Sequence, residues 1–128
     1  MRMAVRSFFV AASLALAAST SWAAELAFSQ AAFDKALAGG KPVVVDFAAS
    51  WCPTCKAQKP IVQGLLKDPK RQSLTVFVAD FDKEEALKQW LKVTMQSTLI
   101  AFKGGKEVAR STGQTDKTEL GALLDKAL

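Results

Sequence analysis

Apolar and polar positions alternate between two periods along most of this chain. From Phe28 to Ala38 the residues Ala32, Phe33, Ala36 and Leu37 recur at helical spacing, with Ser29 placed to cap the start and Gly39-Gly40 to end the helix. Val43 to Ala48 is β-branched and almost wholly apolar, the pattern of a central strand covered on both faces. A helix is predicted from Pro53 to about Lys67, with Pro60 inside it removing one backbone bond and kinking it. Leu74 to Phe81 predicts a second buried strand. Glu84 to Lys92 predicts a helix with Leu87, Trp90 and Leu91 turned to the core. Thr98 to Phe102 and Glu107 to Ser111 read as a hairpin joined through Lys103-Gly104-Gly105-Lys106. Asp116 caps a last helix from Lys117 to Leu128. The order α-β-α-β-α-β-β-α fits a three-layer α/β/α sandwich with a mixed sheet.

The first 23 residues follow neither period. Arg2 and Arg6 precede an uncharged run whose most apolar part, Phe8 to Ala18, gives way to Ser19-Thr20-Ser21. A basic start, a short apolar stretch and small residues at the end match a secretory signal peptide, with Ser21 and Ala23 placed for a cut after Ala23. The alternative is an uncleaved anchor, but a spanning helix needs about 20 strongly apolar residues. Residues 1–23 are therefore assigned as signal peptide and 24–128 as one domain. The leader carries two arginines and no acid, so its removal takes the net charge from +5 to +3. No basic stripe remains to suggest nucleic acid.

The 128-residue chain has no histidine and two cysteines. Ser-His-Asp and Cys-His pairs are excluded, as are a Cys/His zinc site and a histidine-ligated haem. Cys52 and Cys55 lie three apart between the Val43 strand and the helix after it. There, free backbone N–H groups and the helix dipole favour a thiolate at Cys52, while Cys55, one turn in, is more buried. Cys52 is expected to present the outer, exposed sulfur. Three other readings compete with a redox pair. A structural disulfide closing so small a loop stabilises by only about 2 kcal/mol. Half of an intermolecular zinc site is possible but lacks any histidine or third thiol. Haem attachment requires a histidine where Lys56 stands.

The segment from Val43 to Lys56, ending Trp51-Cys52-Pro53-Thr54-Cys55-Lys56, resembles the active-site strand and loop of the thioredoxin superfamily. The likeness extends through Pro60, Leu74 to Asp82, Thr98 to Gly105 and Gly113, essentially the whole chain after the leader. It implies a thioredoxin-like α/β fold and protein-disulfide oxidoreductase activity. By the same likeness Cys52 is the attacking thiol, Cys55 the resolving thiol and Asp46 the buried carboxylate that moves protons at Cys55. Trp51, Pro53, Thr54, Gln96, Ser97, Thr98 and Gly113 fall where the family meets its substrates. No cofactor and no metal is implied, and the expected partners are protein thiols and disulfides together with a membrane or soluble thiol that exchanges electrons. A monomer in the periplasm is expected.

Three departures stand out. Ser97 replaces the family's cis-proline, and the Gln96–Ser97 bond is expected to be trans. Val78 stands where many thioredoxins carry a lysine near the buried acid, which leaves Asp46 further raised, and Ala48 replaces a second tryptophan. Pro53-Thr54 between the thiols, with no histidine, points to an intermediate potential, and the overall likeness favours reduction over oxidation. The alternative function is a thioredoxin-fold binding module or assembly factor with little turnover. A metal-transfer role, motivated by the missing proline, ranks third.

Overall fold

The computed structural model describes Ala15, Ala17 and residues 22–128. All but four residues of the proposed signal peptide lie outside the described residues. The elements are β1 (Ala24–Ala27), α1 (Gln30–Ala38), β2 (Val43–Ala48), α2 (Pro53–Leu65), a 3-10 turn (Pro69–Arg71), β3 (Thr75–Asp80), α3 (Glu85–Leu91), β4 (Thr98–Lys103), β5 (Lys106–Thr112) and α4 (Lys117–Asp125). The sheet order is β1-β3-β2-β4-β5, with β1 and β2 parallel to β3 and the β2–β4–β5 pairs antiparallel. This is the expected mixed sheet with one added strand. β1 pairs only with β3 at the sheet edge, so it shows no alternation of buried and exposed positions.

Alternation along the central strands divides the core in two. Val44, Val76, Leu99 and Ala101 pack against Val62 and Leu65 of α2 and Leu120, Leu123 and Leu124 of α4. Val43, Val45, Phe47, Phe77, Ile100 and Phe102 face Phe33 of α1 and Leu87 and Leu91 of α3. Gly104 and Gly105 turn the β4–β5 hairpin with φ of +58° and +79°, as a two-residue turn with both central residues left-handed requires.

Trp90 departs from the expected core face of α3, being 60% exposed and meeting Phe33 only edge-on at 6.1 Å. Lys88 lies inward instead, its ammonium 4.0 Å from the Phe81 ring centre and paired to Glu85 at 2.7 Å. A lysine stem buries as well as a hydrophobe provided its charge finds a partner.

One ion pair ties the helices beyond the sheet. Arg71, 4% exposed, holds both carboxylate oxygens of Asp125 on α4, at 2.8 and 3.2 Å, and donates to the Leu65 carbonyl at 3.0 Å. Gly121 leaves room for it, since a β-carbon there would come within 3.4 Å of the guanidinium. Burial raises the Asp125 carboxyl, but Arg71 and Lys70 outweigh it and hold it below the usual range. Asp125→Ala strands a buried guanidinium, and we expect a loss of about 2 kcal/mol, below the range for a fully buried pair because water reaches Asp125. In thermal melts this is a fall in Tm of about 8–16 °C. The pair's contribution is complete above the unfolded carboxylate pKa and disappears as pH falls through the lower folded value. The variant is therefore expected to lose less stability on acidification than the parent.

Candidate active site

Strand β2 ends at Ala48, and the chain turns through Ala49 to Trp51 into α2. Pro53 takes the first helical position, where its missing N–H costs nothing. Cys52 is the N-cap of α2, and its sulfur accepts the Cys55 backbone N–H at 3.1 Å. The position usually filled by a serine or aspartate oxygen is thus filled by sulfur. Both cysteines are free thiols.

Burial raises the Cys52 thiol, but hydrogen bonds from the Cys55 thiol, the Ser97 hydroxyl and the Cys55 and Thr54 amides outweigh it, so Cys52 lies below its ordinary value. Cys55 moves the other way. Burial raises it first, and the neighbouring Cys52 thiol adds to the rise more than Ser97 and the Ala49 backbone offset it. The two thiols are therefore pushed apart in acidity, the arrangement in which one sulfur attacks and the other waits.

The exposure of Cys52 differs from expectation. It is 1% exposed and Cys55 7%. Cover comes from distant sequence, because Ser97 brings its hydroxyl to 3.1 Å from each sulfur. Ser97 stands just before β4 with φ of +62°, and among the described residues no peptide bond is cis. A left-handed serine costs roughly 1–2 kcal/mol, and three contacts hold it there. Its N–H donates to the Phe47 carbonyl at 2.8 Å, and its carbonyl accepts from the Gly113 N–H at 3.0 Å and Gln58 Nε2 at 3.3 Å.

Asp46 projects from the face of β2 that also carries Val44, toward α2, and its Oδ1 is buried without a hydrogen-bond partner. A cavity of about 370 Å³ joins it to Cys55 and is lined further by Glu25, Val78, Lys56 and Lys59. Burial, and then the negative charge of Glu25, push the Asp46 carboxyl up to about 7. Val78 pairs directly with Asp46 across the β2–β3 ladder and brings no charge.

The remaining expected contacts divide into two groups. Trp51 is 54% exposed beside the thiols, its indole N–H donating to Asp82 at 2.8 Å, and Pro53 and Thr54 lie at the helix mouth. Gln96 is half-buried beside Ser97. Thr98 faces inward, its hydroxyl donating to the Met95 carbonyl at 2.7 Å and lying 2.9 Å from the Thr112 hydroxyl. Gly113 meets the site through its amide on Ser97, with φ of +74°. Gln58 and Glu25 carry no motif, yet both belong to the site. Gln58 is 1% exposed and also donates to the Gln114 carbonyl at 2.9 Å. Its signal in the sequence is the inward helical spacing Cys55, Gln58, Val62, Leu65.

Comparison with known proteins agrees with this geometry. The thioredoxin family profile matches residues 24–126. The chain is 37% identical over 98 residues to thioredoxin of Chlamydia trachomatis serovar D, covering 77% of this chain and 93% of that protein. It is 31% identical over 105 residues to thioredoxin of Alicyclobacillus acidocaldarius, covering 82% of this chain and 99% of that one. Among solved structures, Trxlp from Edwardsiella tarda superposes with a TM-score of 0.76 at 42% identity, over 78% of this chain and 97% of that chain. The chain belongs to the thioredoxin family of protein-disulfide oxidoreductases and carries its Cys-x-x-Cys pair at Cys52 and Cys55.

Proposed function

We propose that this thioredoxin is exported and reduces protein disulfides, with Cys52 as attacking thiol, Cys55 as resolving thiol and Asp46 as the group that takes the Cys55 proton. The observation that carries the reading is the opposed setting of the two thiols, Cys52 lowered as the sulfur cap of α2 and Cys55 raised beside the Asp46 cavity. The thiolate at Cys52 attacks a substrate disulfide and forms a mixed disulfide. Cys55 passes its proton to Asp46, attacks Cys52 and releases the reduced substrate. Two electrons leave the dithiol, so no bound cofactor is needed, and a membrane or soluble thiol partner restores them.

Export rests on Arg2, Arg6 and the apolar run after them. The edge strand supports a cut after Ala23, because Ala24 is its first residue and donates its N–H to the Leu74 carbonyl at 3.0 Å. Such a cut leaves the whole sheet intact.

The deciding measurement is the reduction potential of the Cys52–Cys55 pair. A lowered thiol raises the potential above that of an ordinary dithiol, but no histidine is present to raise it further. We expect a value between about −270 mV, typical of thioredoxin, and about −120 mV, typical of a strong oxidant, and on the thioredoxin side of the midpoint. A potential near the oxidant end overturns the direction. Fractionation of the native host with N-terminal sequencing checks export, with Ala24 the expected first residue.

A further inference from the structure

The Ser97 hydroxyl lies 3.1 Å from both reacting sulfurs, and nothing in the exchange described above uses it. It is 2% exposed, so water does not compete for it. Its backbone is fixed by the Phe47, Gly113 and Gln58 contacts, and with the oxygen held between the sulfurs the O–H is left to turn about the Cβ–Oγ bond. A hydroxyl has one proton to donate and two lone pairs to receive. Between two sulfurs it can donate to only one at a time, and turning the O–H changes which.

We propose that Ser97 is a catalytic residue whose hydroxyl donates to whichever of the two sulfurs carries the negative charge, turning from Cys52 to Cys55 between the two halves of the exchange. The proposal rests on the assignment of Cys52 as attacking and Cys55 as resolving thiol. In the reduced protein the Ser97 O–H donates to the Cys52 thiolate, which the Cys55 S–H also faces. Cys52 then attacks the substrate disulfide. The Cys52–substrate bond forms, the substrate S–S bond breaks, and the departing thiolate takes a proton from solvent. Cys52 is now uncharged and no longer draws the hydroxyl. The Cys55 proton passes to the Asp46 carboxylate, and the Ser97 O–H turns to the Cys55 thiolate. Cys55 attacks Cys52, the internal disulfide forms, and the second substrate sulfur leaves as a thiolate that solvent protonates. The pair loses two electrons, the substrate gains two, and Ser97 keeps its proton throughout. In line with this, the hydroxyl pulls each thiol below the level that burial sets.

The test uses Ser97→Gly, which suits the left-handed backbone, beside Ser97→Ala, which keeps a β-carbon; both lack the hydroxyl. Two quantities are read in each variant and the parent. One is the pH midpoint of Cys52 alkylation by iodoacetamide in the reduced protein. The other is the rate at which Cys55 displaces glutathione from a preformed Cys52–glutathione mixed disulfide at pH 7. A hydrogen bond to a charged group, converted at 1.36 kcal/mol per pH unit, amounts to about one unit. Both variants are expected to raise the Cys52 midpoint by about one unit and to slow glutathione release about tenfold. An unmoved midpoint in both variants overturns the proposal. A moved midpoint with unchanged release overturns the turning hydroxyl. If instead Cys52→Ser still turns over, the assignment of the attacking sulfur fails, and the proposal with it.

Discussion

Cys52→Ser is expected to abolish catalysed disulfide reduction, leaving only the background rate of dithiothreitol. The loss is complete because the pair gives up its two electrons by forming a bond between its two sulfurs, and a serine oxygen cannot close that bond. An alkoxide is also absent at neutral pH, whereas the N-cap position holds the Cys52 thiol below its usual value against the pull of burial. Cys55→Ser is expected to fail differently. The attacking sulfur survives, so the first half of the exchange runs and stops at the mixed disulfide. Non-reducing gels of cell extracts should then show several covalent adducts in Cys55→Ser and none in Cys52→Ser. A binding module predicts one non-covalent partner retained without either thiol. Unchanged turnover in Cys52→Ser sinks the oxidoreductase mechanism.

Asp46→Asn is expected to make the protein more stable and slower. The Asp46 carboxyl is pushed up to about 7 by burial and by Glu25, while an unfolded aspartate titrates near 3.9. Between these values the native state keeps a proton that the unfolded state has released. Stability therefore falls as pH rises, by at most about 1.4 kcal/mol per unit, and levels off above about 7. The accumulated cost is about 4 kcal/mol at pH 8 and absent below the unfolded value. Asparagine carries no proton to lose, so urea unfolding should show the variant equal to the parent at pH 3.5 and more stable by about 4 kcal/mol at pH 8. Activity moves oppositely. Removing a general base costs on the order of 10²-fold, and Cys55, itself raised by burial, depends on one. Release from the mixed disulfide should lose its rise near pH 7 in the variant. Equal stability at both pH values contradicts the raised carboxyl.

Most of the architecture follows from periodicity because the central strands are covered on both faces and the helices bury one stripe each. β1 escapes that reading for a physical reason. Ala-Glu-Leu-Ala has no β-branched residue, and its pairing comes from β3, some fifty residues away. Trp90 and Lys88 exchange places because the Phe81 ring and Glu85 give an ammonium what it needs inside. At the site, the thiols and Asp46 are legible because each is chemically out of place in its run. The cover over Cys52 is not. It depends on a left-handed backbone at Ser97 and on an amide from Gly113, and neither leaves a mark near residue 52.

Pro53 and Thr54 form the opening turn of α2, one exposed and one half-buried, and neither belongs to the two apolar layers. Asp46 makes fold strength and proton transfer trade against each other, whereas this dipeptide sits next to the sulfurs without supporting the sheet. A change confined to these two positions can therefore reach the potential without touching the sheet, and each 30 mV it moves must appear as about 1.4 kcal/mol between the stabilities of the dithiol and disulfide forms.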